Sequence, residues 1–490
     1  MSHGEATRAA GRLPMEAWCT VIGLVALCSA GAILECVQLA SLRNPVVWGH
    51  LRDGAWILAN RSVPRTGIYS QAASSPWHDF SWGYDAMAAV MYKCIGLRAV
   101  PALAATFRVL VTAALFLLAY RRRLAGAIIL AGIGLYTVSG IGPASTGVSV
   151  VLLALELLLL LEWRAEPGSR VKYGLPALFL IWANTDIGFV YGMTALAVFT
   201  ASEFARQIAG GQNRNIARDA AVVFAICLIV SGITPYGYAS YPAFWQMETS
   251  AANLNIPGYG AMGFRQALDY VVLLLGMSAF LALGLRRSRD VFLIAVLCGS
   301  AALAFRSQRE NWLLVVSSVA VIGSMLSKSD EPESACLMRR LRRRWPVIAA
   351  LTLATVGLAF FLLIPRDPNA LKSKVAEVFP VKACDYIRNE RLPQPLFNAY
   401  EWGAFVTWYL PEYPVAIDGR RGLYPEELES GYFKVMKADV PYQSLPAMKD
   451  ARTMLLQKSN VLGGGLRNVS WFTVAYEDDV ALVLLQNAKE

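Results

Sequence analysis

Apolar blocks of roughly bilayer-spanning length recur along this chain and constrain its fold more than any other feature. They lie near residues 18–40, 83–97, 101–120, 124–138, 146–162, 173–183, 187–204, 220–233, 267–285, 291–305, 312–326 and 346–364. A spanning helix needs about 20 predominantly apolar residues. The apolar residues run continuously rather than at the spacing of a surface helix. Composition agrees. The chain is 56% hydrophobic and 16% charged, whereas soluble domains carry roughly a quarter charged residues. The reading is a polytopic α-helical membrane protein with about 11–12 spans.

The formal charge of +10 is not a nucleic-acid signal, because the basic residues sit in short clusters between apolar blocks. The positive-inside bias puts them there. The strongest clusters are 286–289 and 339–344, followed by 121–123, 164–172 and 206–218. Spans that alternate from residue 124 onward make all five cytoplasmic. The tail 365–490 and the loop 234–266 then lie outside. The N-terminal segment is basic, and block 18–40 is long for a signal peptide, so it reads as a retained first span. One conflict remains. If 83–97 and 101–120 both cross, the loop 41–82 falls inside. That loop holds Trp48, Trp56, Trp77 and Trp82 and a Pro64-Arg65 turn, which suits an outer face. Lys93 and Arg98 make 83–97 a poor span. The loop is therefore expected outside, with the crossing of 83–97 open. Six of eight cysteines lie in apolar blocks, and no pair suggests a disulfide framework or a metal site.

Polarity rises sharply after Pro365. Helix-like pieces (372–389, 425–437, 444–452) alternate with strand-like ones (396–400, 414–418, 453–457, 471–476, 480–485). That alternation argues for a small α/β domain over 365–490, outside the cytoplasm, attached to a multi-span domain over 1–364. Asp418-Gly419-Arg420 directly follows the strand-like PVAID. Residues just past a strand's carboxyl end are well placed to line a ligand crevice.

Several stretches together resemble bacterial polytopic proteins of the GT-C type, which transfer sugars from polyprenyl-phosphate donors. These are WGHLRDGAWILANRSVPRTGIYS, PWHDFSWGYDAM, LIWANTDIGFVYG, TPYG at 234–237, AFRSQRENW at 304–312, and LFNAYEWGAFVTWYLPEYPVAIDGRRGLY in the tail. The resemblance runs over most of the chain in short motifs. There are departures. Asn44 stands where an acidic residue would open the loop, and Gly67 stands where another would follow the Pro-Arg-Thr turn. Phe80-Ser81 replaces a His-Glu pair, Gly142 replaces an Arg before Pro143, and Asp186 replaces a His. GT-C enzymes typically use a carboxylate of this first loop as general base or metal ligand, so the departures bear on catalysis and not on fold.

The resemblance implies an inverting transfer on the outer membrane face. That reaction needs a carboxylate to take the acceptor proton. It needs cations or a divalent metal ion for the departing phosphate. It also needs an apolar groove for the polyprenyl chain. Asp53 lies on an amphipathic stretch, 46–60, whose Trp48, Leu51 and Ala55 face the bilayer surface; it reads either as the base or as a solvated interfacial charge. Asp79 and Asp85 read either as replacement bases or as caps of the next helix. Arg52 and Arg65 suit phosphate contacts, or lipid headgroups. Arg306 and Arg309 are expected on the outer face, against the positive-inside bias. His50 and His78 suit proton or metal roles, although two histidines so far apart are a weak metal signal. Trp182, Asn184 and Asp186 line the same cavity, or form an interfacial belt with helix capping. Asp418 and Arg420 read as an acceptor or partner site, or as an internal salt bridge. Glu35 and Glu156 sit inside apolar spans, where carboxylates usually face a cavity or a partner.

The expected function is a membrane glycosyltransferase-like protein of a bacterial cytoplasmic membrane, with membrane lipids and a polyprenyl-phosphate lipid as its partners. The alternative is a catalytically inactive accessory subunit of a membrane complex, held to a protein partner through the external domain. A secondary transporter is weaker, because no inverted repeat is visible.

Overall fold

The first apolar block forms α1 (Met15–Gln38), and the loop after it carries α2 (Val46–Asn60). The chain continues through α3 (Trp82–Ile95), α4 (Ala99–Ala119), α5 (Leu124–Val138), α6 (Thr146–Ala165), α7 (Gly174–Ala183), α8 (Phe189–Ile208) and α9 (Arg214–Ser231). A short α10 (Ser240–Thr249) precedes α11 (Ala267–Leu285), α12 (Val291–Arg306), α13 (Asn311–Met325) and α14 (Glu333–Leu363). This computed structural model describes residues 15–487 except 121–123, 139, 141, 211–213, 251, 252, 254, 257 and 327–332. The basic N-terminal segment, the cluster 121–123 and part of the cluster 206–218 lie outside the described residues.

Five described stretches are long and apolar enough to cross a membrane: Val21–Gln38, Trp82–Ala119, Thr146–Ala165, Ala267–Leu285 and Arg344–Leu363. Helix α13 is buried at every residue from 311 to 321. A helix that is apolar all round belongs inside a bundle, and α13 packs against α4, α5, α6, α11 and α12. The chain is an integral membrane protein with a central helix wrapped by the others.

Ion pairs identify the two ends of the bundle. At one end Arg164, closing α6, meets Asp290 at the start of α12 (2.7 Å) and Glu203 near the end of α8 (2.7 Å). Lys172, just before α7, pairs with Asp219 at the start of α9. At the opposite end, Asn184 after α7 donates to the Ile233 carbonyl after α9 (3.0 Å), and there the first loop and the tail sit.

Helix α3 does not run from one end to the other. At its start the Gly83 N–H donates to the Asn184 carbonyl (3.0 Å). At its end a turn at Gly96–Arg98 packs against α15 (Pro368–Ala376), the first helix of the tail. The segment Ala40–Arg43 after α1 touches the same helix. Both ends of α3 are therefore on the tail's face. Helix α2 packs along α3, and Gly54 makes that close approach possible: a Cβ there would sit 1.9 Å from the Asp85 carbonyl oxygen. With both ends of α3 at this face, the first loop and the tail share one end of the helix bundle.

In the tail, α15 is followed by α16 (Val381–Asn389), β1 (Leu396–Asn398), α17 (Gly403–Tyr409), α18 (Glu426–Met436), the single-turn α19 (Pro446–Lys449), β2 (Thr453–Gln457), α20 (Val461–Leu466), β3 (Phe472–Glu477) and β4 (Ala481–Gln486). The sheet order is β1-β2-β4-β3. Strand β1 is parallel to β2 (Phe397 opposite Met454), and the other pairs are antiparallel. Two expectations need correction. The PVAID segment is not a strand of this sheet. Its Val415 exchanges backbone hydrogen bonds with Tyr69 and Gln71 of the first loop, and its Ala416 N–H donates to the Asn398 side chain (2.9 Å). Nor does Trp48 face the bilayer surface. It is fully buried under the tail, edge-on to Phe379 (5.7 Å) and Phe405 (5.4 Å). Leu42, Val47, Leu51, Tyr84 and Val100 join Val381, Leu410 and Val483 in one apolar cluster. The tail is thus docked onto the first loop by burial of apolar surface, the main favourable term in such contacts.

Candidate functional site

A cavity of about 380 Å³ opens between the first loop, the helix ends and the tail. Helix α2 contributes Gly49, His50 and Asp53, which share one helical face at three- and four-residue spacing. The returning loop adds His78 and Asp79. Ser145 and Asp186 come from the ends of helices, Tyr259 and Arg309 from the far side, and Asp418, Arg420 and Arg421 from the tail. Sequence positions hundreds of residues apart thus meet in one space.

Asp53 is 5% exposed, so it is not a solvated interfacial charge. Burial first, and the nearby Asp79 carboxylate second, raise its pKa to about 7, with Arg420 opposing. Its Oδ1 has no hydrogen-bond partner among the described residues. Asp79 is held by the Ser81 N–H and hydroxyl, both 3.0 Å from Oδ1, while its own N–H donates to Tyr236 (3.2 Å). Burial, and then Asp85, keep it protonated well above the usual carboxylate range. Asp85 lines no part of the cavity. It sits behind it, with Oδ1 2.6 Å from His50 Nδ1. Burial lowers the His50 pKa. A neutral imidazole donating from Nδ1 to Asp85 leaves Nε2 as an acceptor, and that atom has no partner among the described residues.

On the tail side, Arg420 makes a forked contact with Asp418, Nε to Oδ1 at 3.1 Å and Nη2 to Oδ2 at 2.8 Å. Both readings of this pair therefore hold together: it is an internal salt bridge and it lines the cavity. Arg420 lies over the rings of Tyr69 (5.1 Å) and Trp77 (5.2 Å), and Arg52 stacks on Tyr69 at 4.6 Å. Tyr259 lies between two guanidinium groups, Arg421 at 4.5 Å and Arg309 at 4.8 Å. Arg421 is also tied to Glu248 (3.4 Å). Arg309 has no ion-pair partner among the described residues, so it faces the cavity with its charge available.

Other expected residues fall outside the cavity. Arg65 is exposed and reaches the Pro235 carbonyl (3.4 Å), and Arg306 donates to the Glu248 carbonyl (2.7 Å). Trp182 donates to Ser149 (2.7 Å), and Asn184 accepts from the Trp82 indole (3.1 Å), so both hold helices together. Asp186 lines the cavity, but the Ser145 hydroxyl (2.6 Å), the Ser149 hydroxyl and the Gly188 N–H (2.8 Å) occupy its carboxylate. His78 lines it against Phe80 and Tyr236, and burial followed by Arg65 lowers its pKa. Glu35 faces a partner: it is fully buried and paired with Arg108 (2.9 Å). Glu156 is fully buried against Gly192 and Trp182, and nothing in the structure explains it. Tyr69, Ser145 and Tyr259 are cavity residues that sequence reasoning missed, and no local pattern marked them. Arg421, beside Arg420, was visible as a second tail cation.

Two departures meet in space. A Cβ at Gly142 would lie 2.2 Å from the Asn44 side-chain nitrogen. The acid and the arginine expected at these positions are thus replaced together, by a neutral pair in contact. Among the described residues no group of three His, Cys, Asp or Glu side chains is arranged as metal ligands.

No family profile matches the chain, and no curated protein matches it. Solved structures do match. The archaeal oligosaccharyltransferase AglB from Archaeoglobus fulgidus, in complex with an inhibitory peptide and a dolichol-phosphate, aligns over 89% of this chain and 69% of its own, with a TM-score of 0.58 at 11% identity. ArnT from Cupriavidus metallidurans, bound to undecaprenyl phosphate, aligns over 97% and 99%, with a TM-score of 0.55 at 13% identity. The fold is therefore the GT-C membrane-enzyme fold with a small C-terminal sheet.

Proposed function

We propose that the protein transfers a sugar from a polyprenyl-phosphate donor to a lipid-linked or surface acceptor on the outer face of a bacterial cytoplasmic membrane. One observation carries this reading: the proton acceptors Asp53 and His50 and the cations Arg309 and Arg421 line one cavity, and Arg309 has no ion-pair partner among the described residues. Asp53 takes the proton of the acceptor hydroxyl as its oxygen bonds to the anomeric carbon of the sugar. The bond from that carbon to the phosphate oxygen breaks, and the phosphate leaves with its charge held by Arg309 and Arg421. His50, oriented by Asp85, and Asp79 complete the proton-handling wall. The solved neighbours with a dolichol-phosphate and undecaprenyl phosphate support a lipid-phosphate donor by fold. The test is an assay of purified protein in nanodiscs with labelled polyprenyl-phosphate hexoses. Transfer that is lost in Asp53→Asn supports the reading. The reading fails if neither transfer nor donor binding occurs and cell glycans are unchanged in Asp53→Asn, Asp79→Asn and Asp85→Asn.

The joint replacement at Asn44 and Gly142 favours a second reading, an inactive subunit that keeps the fold as a scaffold for a protein partner. A stable partner recovered in mild detergent, from cells in which Asp53→Asn has no effect, would decide for it.

A further inference from the structure

The tail has a second concave site at the end of its sheet away from the membrane cavity. The cavity meets the sheet where β1 runs out into Tyr400 and Glu401. The groove lies at the other end, where β2 begins after Arg452, β4 ends at Gln486, and Trp471 leads into β3. Its volume is about 940 Å³, at the upper end of the roughly 300–1,000 Å³ of ligand sites.

We propose that this groove binds a neutral glycan chain. Trp471 is 49% exposed, and its indole N–H donates to the Tyr442 hydroxyl (2.8 Å). Tyr442 in turn stands edge-on to Phe472 at 5.4 Å. The Trp471 carbonyl accepts from the Asn487 N–H (2.9 Å), an extension of the sheet. The two rings are thus fixed before any ligand arrives, which lowers the ordering cost of binding. An aromatic face of this kind suits the apolar C–H face of a sugar ring. Around it lie amides that donate and accept at once: Gln443, Gln486 and Asn487. Lys449, Arg452 and Asp450 add charged hydrogen-bonding groups of both signs to the wall.

The site does not depend on sugar transfer in the membrane cavity, and its test needs no turnover. Full-length protein in nanodiscs is examined by saturation-transfer NMR with cellohexaose, maltohexaose and chitohexaose. At least one is expected to bind the wild type and Asp53→Asn alike. Trp471→Ala should weaken that binding about tenfold, the loss of one aromatic stacking contact, with Trp471→Phe restoring most of it. Asn487→Ala should weaken it as well. The proposal is overturned if none of the three binds, or if binding is unchanged in both Trp471→Ala and Asn487→Ala. Binding of an extended polar hexapeptide in place of every oligosaccharide would also overturn it, and would make the groove a peptide site.

Discussion

The two ends of the helix bundle treat buried charge in opposite ways. At the end away from the tail, Arg164 is 11% exposed and its charge is paired with Glu203 and Asp290, with the rings of Phe199 and Phe292 beneath its guanidinium and only its Nε without a hydrogen-bond partner. Lys172 is likewise paired with Asp219. At the tail end, Asp53 is buried with no ion-pair partner, and its Oδ1 and His50 Nε2 have no hydrogen-bond partner among the described residues. A paired buried charge holds helices in register. An unpaired one costs free energy in the empty protein and is retained when a ligand completes it. The first end reads as construction and the second as a site.

Replacing Asp53 by Asn should give the largest effect. Removal of a general base lowers the rate by about 10²–10⁴-fold, while thermal stability should hold or rise because a buried unpaired acid is gone. Activity and melting temperature measured on one preparation check both. The pH profile sharpens the point. The folded-state pKa of Asp53 is raised to about 7, so the base is ionised only above that value, and activity should climb as pH rises through about 7. Stability runs the other way. The folded protein holds a proton that the unfolded chain has lost, so this group's contribution is present at acid pH and falls as pH rises towards 7. In Asp53→Asn both dependences on this group should disappear. An unchanged profile would remove Asp53 from the chemistry.

Arg164→Ala should act on the opposite quantity. It leaves Asp290 without a cation and the buried Glu203 with only the exposed Arg206 (3.3 Å), and breaking a buried pair costs about 3–5 kcal/mol. Thermal unfolding in detergent should show that loss, with donor binding at the far end retained in the folded fraction. Gly54→Ala comes next. A Cβ 1.9 Å from the Asp85 carbonyl forces α2 and α3 apart, and overpacking of this sort costs about 1–3 kcal/mol. Because Asp85 orients His50, activity should fall together with stability, which ties packing to the site in a way that neither charge variant does.

The apolar blocks announced the bundle, and the polarity change after Pro365 announced the tail, because both are properties of contiguous sequence. The location of 83–97 was not legible. Its apolar content suits a span, and only the tertiary contacts of Gly83 and of Gly96–Arg98 show both ends at one face. PVAID has the residues of a strand, yet the first loop takes its backbone hydrogen bonds. For the site, chemistry was legible and geometry was not. His50, Asp53, His78, Asp79, Asp186, Arg309, Asp418 and Arg420 all reach the cavity. Sequence could not tell that Asp186 is saturated by hydroxyls, that Asp53 is buried, or that Tyr259 stacks between two arginines, since each depends on partners far along the chain.

The smallest effect is expected at the position where the resemblance places the missing acid. Asn44 is not among the residues lining the cavity. Its side-chain oxygen caps the start of α2 by accepting from the Val46 N–H (2.9 Å), and an aspartate accepts equally well in such a cap. Its nitrogen lies against Gly142, whose φ of 62° and tight surroundings leave no room for the arginine that would partner an acid. Asn44→Asp therefore adds a charge without a cation and without access to the acceptor. Transfer should change by less than about twofold, and stability by roughly 0.5 kcal/mol, as at ordinary surface positions. A gain of tenfold or more in transfer would mean that the base belongs at 44 and that the buried pair Asp53 and His50 only shapes the wall. It would then move the base from Asp53 to the start of α2 and weaken the contrast between the two ends of the bundle.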